Sequence, residues 1–345
     1  MLYFNNDYNQ ICHPAVMQKI TENAGVQTPG YGTDDCCARA AALIREKCDA
    51  PDAAVHFLVG GTQTNLTVIA ASLRPHQGVI AADSGHVNVH ETGAIEATGH
   101  KVILVPAPDG KVRPEQVAAI VESQSLSMDA EHIVQPKMVY ISNPTEYGTM
   151  YSLSELEALS ALCHGKGLYL YVDGARLGYG RAAKNNDITL ADYAKLCDAF
   201  YIGGTKVGAM FGECVVIKNS SIAEDFRYLM KQRGGMLAKG WLLGLQFEAL
   251  FEDDLYMQIS AHADKMADQI RNTLTSLGYA LYLPGVTNQV FVALPNKLLD
   301  ELGKEFTFAT WEKADEEHTV VRFCTSWATL QENVNKLCSA LKHLV

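Results

Sequence analysis

The chain has no Cys-x-x-Cys pair among its nine cysteines. That excludes the common thiolate zinc pattern and a thioredoxin-like redox motif. The cysteine number is odd and the spacings are scattered, apart from adjacent Cys36 and Cys37. Reduced, mostly buried thiols of a cytoplasmic protein are therefore expected. No run of about eighteen apolar residues occurs, which excludes a membrane-spanning helix. Residues Met1 to Gln10 hold neither a basic region nor an apolar stretch, so no signal peptide is expected. Positive charge is also scarce: 28 Lys and Arg stand against 39 Asp and Glu, a net charge of −11. Such a chain lacks the basic face that a nucleic-acid backbone requires. Internal repeats and low-complexity segments are absent. What remains is 345 residues, 48% hydrophobic, enough for a large buried core.

Short apolar runs alternate with helical patterns through the middle of the chain, which indicates an α/β fold with a mostly parallel sheet flanked by helices. Strands are expected at 55–59, 78–82, 101–105, 137–142, 168–172 and 200–202. Helices are expected at 63–73, from Glu91 onward, and from a capping box at Ser152 and Glu155. A long helical stretch at 222–250 is interrupted at Gly234-Gly235. The last hundred residues read differently. They hold a helix at about 254–277, strands near Val290 and Val320, and a closing helix with Thr329 and Glu332 as its capping box. A smaller C-terminal α+β domain follows from that shift.

In open parallel sheets, ligands sit beyond the carboxyl ends of the strands. Five expected strand ends here carry glycine-rich or polar residues: Gly60-Gly61-Thr62, Asp83 to His86, Asn143 to Glu146, Asp173 to Arg176, and Gly203 to Lys206. A strand, then Gly-Gly-Thr, then a helix offers free N–H groups and a positive helix end to an anion. It is equally a plain tight turn. Asp173 ends a very apolar strand and needs a cation or hydrogen bonds there. An ion pair with Arg176 or a helix cap would satisfy it. Lys206 lies among glycines after a buried strand. Burial would give it a neutral amine able to form a Schiff base; the bland alternative is an exposed loop lysine. Together the three match what pyridoxal 5′-phosphate requires: a Schiff-base lysine, an ionised acid for the ring nitrogen and a phosphate cradle. Asp173 and Lys206 lie 33 residues apart, enough for one crossover between neighbouring strands.

At these residues the sequence resembles the L-threonine aldolase group of the β-eliminating lyases, within the fold-type-I pyridoxal-phosphate enzymes. The matching segments, in order, are Asn6-Asp7-Tyr8, Gly30-Tyr31-Gly32, Gly60-Gly61-Thr62-Gln63, His86 with Glu91-Thr92-Gly93-Ala94, Asp173-Gly174-Ala175-Arg176, Gly203-Gly204-Thr205-Lys206, and Arg322 within Val321 to Thr325. The resemblance spans nearly the whole chain. It implies a 1–30 arm that contributes to the active site, a large cofactor-binding domain at 31–250 and a small domain at 251–345. It implies that Lys206 holds the cofactor and Asp173 pairs with its ring nitrogen. His86 would stack on the ring and assist proton transfer. Gly61, Thr62 and Gln63 would hold the phosphate. Arg176 and Arg322, helped by Asn6, would grip the substrate carboxylate. His90 competes with His86, and Arg322 is also readable as a surface ion pair. The implied reaction splits L-threonine, L-allo-threonine or another β-hydroxy amino acid into glycine and an aldehyde. A homodimer paired into a tetramer with shared active sites is implied too, and no metal.

Two departures from the family pattern stand out. The family's histidine near the substrate hydroxyl falls where this chain has Glu146. The family's arginine toward a neighbouring subunit's phosphate falls at Leu237, leaving Lys239, Arg233 or Lys231 to replace it. Three alternatives share the pattern. β-Elimination from a β-substituted amino acid differs only in which Cα bond breaks. A non-catalytic binding protein would not need Lys206 beside Asp173. An aminotransferase fits less well, because the lysine segment resembles the aldolase group.

Overall fold

The computed structural model describes residues 1–344. Its strands are β1 (Leu2–Tyr3), β2 (Ala54–Leu58), β3 (Gln77–Ala82), β4 (Lys101–Val105), β5 (Gln135–Ser142), β6 (Tyr169–Asp173), β7 (Ala199–Gly203), β8 (Glu213–Ile217), β9 (Gln289–Pro295), β10 (Phe306–Thr307), β11 (Ala309–Lys313) and β12 (His318–Cys324). The helices are α1 (Pro14–Glu22), α2 (Asp35–Lys47), α3 (Gly61–Ser72), α4 (His86–Val89), α5 (Pro114–Leu126), α6 (Leu153–Gly165), α7 (Leu177–Ala182), α8 (Leu190–Leu196), α9 (Ser220–Ala223), α10 (Phe226–Gln232), α11 (Trp241–Phe251), α12 (Leu255–Ser276), α13 (Asn296–Leu302) and α14 (Gln331–Leu344).

Seven strands form one sheet in the order β2-β8-β7-β6-β5-β3-β4. Only β8 runs against its neighbours; every other pairing is parallel. Every residue of β3, β7 and β8 is buried, as expected where helices cover both faces. The twofold alternation of side chains then builds two cores. Met138, Tyr140, Tyr171 and Tyr201 face α3 with Val68 and Ile69. Val139, Ile141, Val172 and Ile202 face the other way, toward Leu156, Leu159 and Phe247. The parallel pairing brings strand ends level: Ser142 on β5 is in register with Asp173 on β6.

A second, three-stranded antiparallel sheet, β11-β12-β9, packs with α12, α13 and α14 around a third core that includes Phe323, Val334 and Leu337. The N-terminus joins this layer. β1 pairs with β10, Phe4 is buried in the third core, and the Phe4 carbonyl accepts from the Cys324 amide at 2.7 Å. The architecture is thus the expected α/β sheet with a small C-terminal antiparallel layer. No helix among the described residues is long and apolar enough to cross a membrane.

Several local expectations are corrected. No helix starts at Glu91. Thr92 and Gly93 have φ of 53° and 72°, so a left-handed bend separates the four-residue α4 from a single turn at Glu96–Thr98. The 222–250 stretch is interrupted at Gly234-Gly235 as expected, Gly234 being left-handed between α10 and α11, and is broken once more between α9 and α10. Ser152 and Glu155 do form their capping box. Thr329 does not cap α14: the helix starts at Gln331, and the Thr329 hydroxyl accepts from the Ser326 amide at 2.8 Å. Strands β8 and β11, and the helices before residue 55, carry no signal read above.

Helix α11 is apolar on nearly every side because it is packed between α2, α1 and α12. The contact with α2 is closest at Gly244, where an added Cβ would stand 2.6 Å from the Cys37 amide nitrogen. Gly244→Ala should therefore force the helices apart and destabilise the fold by about 2 kcal/mol. A urea unfolding midpoint equal to that of the unmodified chain would show that the contact yields without cost.

Candidate active site

Asp173 is the most densely hydrogen-bonded carboxyl in the molecule's centre. It is 4% exposed, at the carboxyl end of β6. Its Oδ2 accepts from the Tyr140 hydroxyl at 2.7 Å and Asn65 Nδ2 at 2.9 Å. Its Oδ1 accepts from the Tyr201 hydroxyl at 2.5 Å and the Ala175 amide at 3.0 Å. Asn65 is oriented in turn by the Tyr171 hydroxyl, which donates to its Oδ1 at 2.9 Å. Burial alone would raise the Asp173 pKa. The His86 imidazole nearby and the Tyr201, Tyr140 and Asn65 hydrogen bonds outweigh burial and hold it below the ordinary value.

Lys206 follows β7 in the Gly203–Gly208 turn. Its carbonyl accepts from the Tyr179 hydroxyl at 2.5 Å. Burial, helped by the Arg176 charge, pulls its ammonium below the ordinary lysine range, against Asp7, Asp173 and Glu213. Glu213 is a buried carboxyl beneath this turn, and its Oε2 accepts from the Gly204 amide at 3.0 Å. Burial raises its pKa.

The start of α3 lies beside both groups. Gly60 caps it without any side-chain bond, so the first amides of the helix, including those of Gly61, Thr62 and Gln63, point outward. A Cβ on Gly61 would meet the Tyr201 hydroxyl at 3.1 Å, which places this helix end next to the Tyr201–Asp173 hydrogen bond. The Gln63 side chain has other work. Its Oε1 accepts from the Val59 amide at 3.3 Å, and its Nε2 donates to the Arg233 carbonyl at 3.1 Å. Only its backbone amide remains for an anion.

His86 begins α4. Its Nδ1 lies 2.7 Å from Glu91 Oε1, the same oxygen that accepts from Asn65 Nδ2 at 2.7 Å. His90, the competing histidine, is exposed, with its ring centroid 5.5 Å from that of His86. The His86 backbone amide donates to Glu146 Oε1 at 2.8 Å, and the Ser142 hydroxyl donates to the same oxygen at 2.7 Å. Glu146 is 8% exposed. Burial raises its pKa, the Ser142 bond opposes this, and the Asp173 charge adds to it.

The two arginines differ. Arg176 keeps 12% of its side chain exposed and is bidentate on Asp7, Nε to Oδ2 at 2.7 Å and Nη2 to Oδ1 at 3.1 Å. Arg322 donates to Gln289 Oε1 and to the Asn5 carbonyl, both at 3.0 Å, and rests 5.7 Å from the Trp311 ring centroid. It is therefore no surface ion pair. Both arginines act electrostatically on His90 together with Lys206, so the three charges share one region. Asn6 is not brought there. Its Oδ1 accepts from the Tyr8 amide at 3.0 Å, and it lines a separate surface cavity of about 110 Å³ with Met1 and Asn333. Asp7, its neighbour, reaches the cluster instead. Among the basic residues of 231–239, Lys239 is exposed and Lys231 lies 4.8 Å over the Tyr31 ring. Arg233 is the one fastened to the α3 start, through Gln63, and its Nε is buried without a partner.

Sequence reasoning missed Asn65, Glu91, Tyr140, Ser142, Tyr201, Glu213 and the pairing of Asp7. A signal existed for four of them. Tyr140, Ser142 and Tyr201 lie at twofold spacing on strands ending in the expected cluster. Asn65 lies one helical turn beyond Gly61. Nothing local marks Glu213, whose strand was not recognised.

The fold and this cluster define a class: α/β proteins of the fold-type-I pyridoxal-phosphate architecture. Aspartate aminotransferase of Thermus thermophilus has that fold, with a TM-score of 0.73 at 16% identity, covering 100% of this chain and 92% of its own. Residues 11–297 match the model of the beta-eliminating lyase family, and the chain belongs to that family. It is similar to the threonine aldolase of Leishmania major, at 46% identity and a TM-score of 0.97, covering 100% of this chain and 99% of that one. It is also 29% identical to the low specificity L-threonine aldolase of Pseudomonas aeruginosa, over 99% of this chain and 96% of that protein.

The Asp7–Arg176 pair gives a stability test. Burial would raise the Asp7 pKa, but the charges of Arg176 and Lys206 and the bonds from Arg176 and Asn288 bring it from 3.8 down to about 2. A depressed carboxyl stabilises the fold above its unfolded value and loses that contribution as pH falls from about 4 through about 2. Asp7→Asn should cost about 3 kcal/mol near neutrality by leaving Arg176 buried without its counter-charge. The gap between variant and unmodified chain should narrow below about pH 4. Denaturant melts showing the same gap at pH 7 and pH 3 would remove the ion pair from the account.

Proposed function

We propose that this chain cleaves L-threonine, L-allo-threonine and related β-hydroxy amino acids into glycine and an aldehyde, using pyridoxal 5′-phosphate. The observation that carries this reading is a convergence in one crevice. A buried, ionised Asp173, a lysine amine shifted toward its neutral form and an uncapped helix start meet there, in a chain similar end to end to a threonine aldolase.

The residues fit the cofactor. Lys206 would hold it through an amine that burial shifts toward its neutral form, Asp173 would pair with the ring nitrogen, and the amides of Gly61, Thr62 and Gln63 would take the phosphate, with the Thr62 hydroxyl beside them. Bound there, the cofactor supplies an electron sink for the pair released when a bond at the substrate's Cα breaks. His86, braced by Glu91, would stack on the ring. Arg322 grips the substrate carboxylate. Arg176 contributes with its remaining Nη1, because Asp7 occupies the other edge of its guanidinium. That grip selects the Cα–Cβ bond for cleavage. Glu146 takes the proton of the β-hydroxyl, the C–O bond becomes a carbonyl, and the aldehyde leaves. A proton returned to Cα completes glycine. A carboxylate is a better base for this step when its pKa is lifted toward the working pH, the direction burial gives Glu146.

The reading extends to organisation. Residues 1–30 form an arm to the site, 31–250 the cofactor-binding domain and 251–345 the small domain; the separate third core supports this division. The chain works as a homodimer paired into a tetramer, with the 231–239 segment at the shared site. It works in the cytoplasm, where its nine cysteines, all free, stay reduced, and there it contributes to glycine supply.

The test is product analysis with L-threonine and added pyridoxal 5′-phosphate. Glycine and acetaldehyde are expected. A keto acid and ammonia would move the chain to β-elimination. Lys206→Ala should abolish both turnover and the visible cofactor absorbance. Arg322→Ala should raise KM at least about tenfold while the absorbance stays. An unchanged KM would take Arg322 out of the carboxylate grip.

A further inference from the structure

A base that removes a proton in one step must stay hydrogen-bonded in both of its protonation states, or burial penalises one of them. Around Glu146 the structure supplies a group able to do this. The Ser142 hydroxyl donates to Glu146 Oε1 at 2.7 Å and lies 3.3 Å from the Tyr140 hydroxyl oxygen. Tyr140 is committed elsewhere, donating to Asp173 at 2.7 Å, so its oxygen is free to accept.

We propose that Ser142 is a positioning residue for Glu146: the serine hydroxyl holds Oε1 in both protonation states and so presents Oε2 to the substrate. When Glu146 is ionised, Ser142 donates to the charged carboxylate. When Oε2 carries the proton, Oε1 is the carbonyl oxygen and still accepts from Ser142, in a weaker bond. The His86 amide holds Oε1 throughout at 2.8 Å, which leaves Oε2 for the substrate hydroxyl. This inference rests on the reading of Glu146 as the hydroxyl base.

The groups facing Glu146 set the sign. Asp173 at the end of β6 repels its charge, and the phenols of Tyr140, Tyr147 and Tyr151 are neutral. The Ser142 hydroxyl is thus a principal stabiliser of the ionised form. Its loss should delay ionisation to higher pH.

The test uses the holoenzyme. The pH dependence of kcat/KM for L-threonine would be measured beside an infrared pH titration of the carboxyl band that Glu146→Gln removes. Ser142→Ala should move the acid limb and the band titration upward by about one pH unit, a tenfold loss of rate below the limb. Ser142→Thr, which restores a hydroxyl, should bring both back. If Ser142→Ala does not yield folded protein, Ser142→Cys, a weak donor of similar size, should shift both the same way. Limb and band unmoved in the alanine or cysteine variant overturn the role of Ser142 while leaving Glu146 as the base. Unaltered rate and limb in Glu146→Gln would overturn the base assignment itself, and this inference with it.

Discussion

The structure depends on keeping one carboxylate ionised in a place that disfavours charge. Asp173 ends the central strand of a sheet buried on both faces, where an unpaired charge would cost several kcal/mol. Four donors from four segments solve the problem: Tyr140 from β5, Tyr201 from β7, Asn65 from α3 and the Ala175 amide from its own turn. Those donors are also what align the neighbouring elements. Asn65 ties α3 to the sheet, and with it the anion-ready start of that helix. Tyr201 comes from the strand that delivers Lys206. The electrostatic demand of one residue thereby fixes the relative positions of three groups that chemistry needs together.

A second constraint joins the two layers. The N-terminal segment pairs with β10, buries Phe4 in the small core, and then sends Asp7 into the crevice beside Arg176. Asn288, which precedes β9, donates to the same Asp7 carboxyl at 2.9 Å. The Asp7–Arg176 pair is therefore assembled at the seam between large sheet and small sheet, from residues far apart in the chain. Arg322 belongs to that seam too, since the Asn5 carbonyl takes one of its hydrogens.

What was legible in the sequence follows from the range of each interaction. The parallel strands were legible because an apolar run buried on both faces is a local signal. Asp173 and Lys206 were legible because a charged residue directly after such a run is anomalous. β8 was not, since its only neighbouring signals are glycines, and its partners β2 and β7 are far off or across a turn. The 91–94 segment, read as a helix start, is a bend because Thr92 and Gly93 adopt left-handed angles that the loop carrying Glu91 to His86 demands. Asn6 and Asp7 show the limit most clearly. Adjacent residues with similar polar side chains take opposite fates: one closes a local turn, the other pairs across the molecule. Only the tertiary path of the arm decides which.

In the function proposed above, a carboxyl stands where the resemblance implies a histidine, and that changes the local electrostatics as well as the base. An imidazole is neutral as a base and adds no charge beside Asp173. A glutamate as a base is an anion, in a crevice that already holds Asp173 and Glu91. One feature of the chain answers that cost. The Ser142 hydroxyl and the His86 amide both donate to one oxygen of Glu146. Ser142 is in register with Asp173, so the residue that steadies the second carboxyl stands on the strand end adjoining the first. The repulsion between them has a use. It keeps Glu146 reluctant to ionise, and a reluctant carboxylate is the stronger base toward an alcohol. The same burial that makes Asp173 depend on its four donors thus raises the Glu146 pKa, and what separates the two carboxyls is the His86 imidazole and the larger number of hydrogens pointed at Asp173.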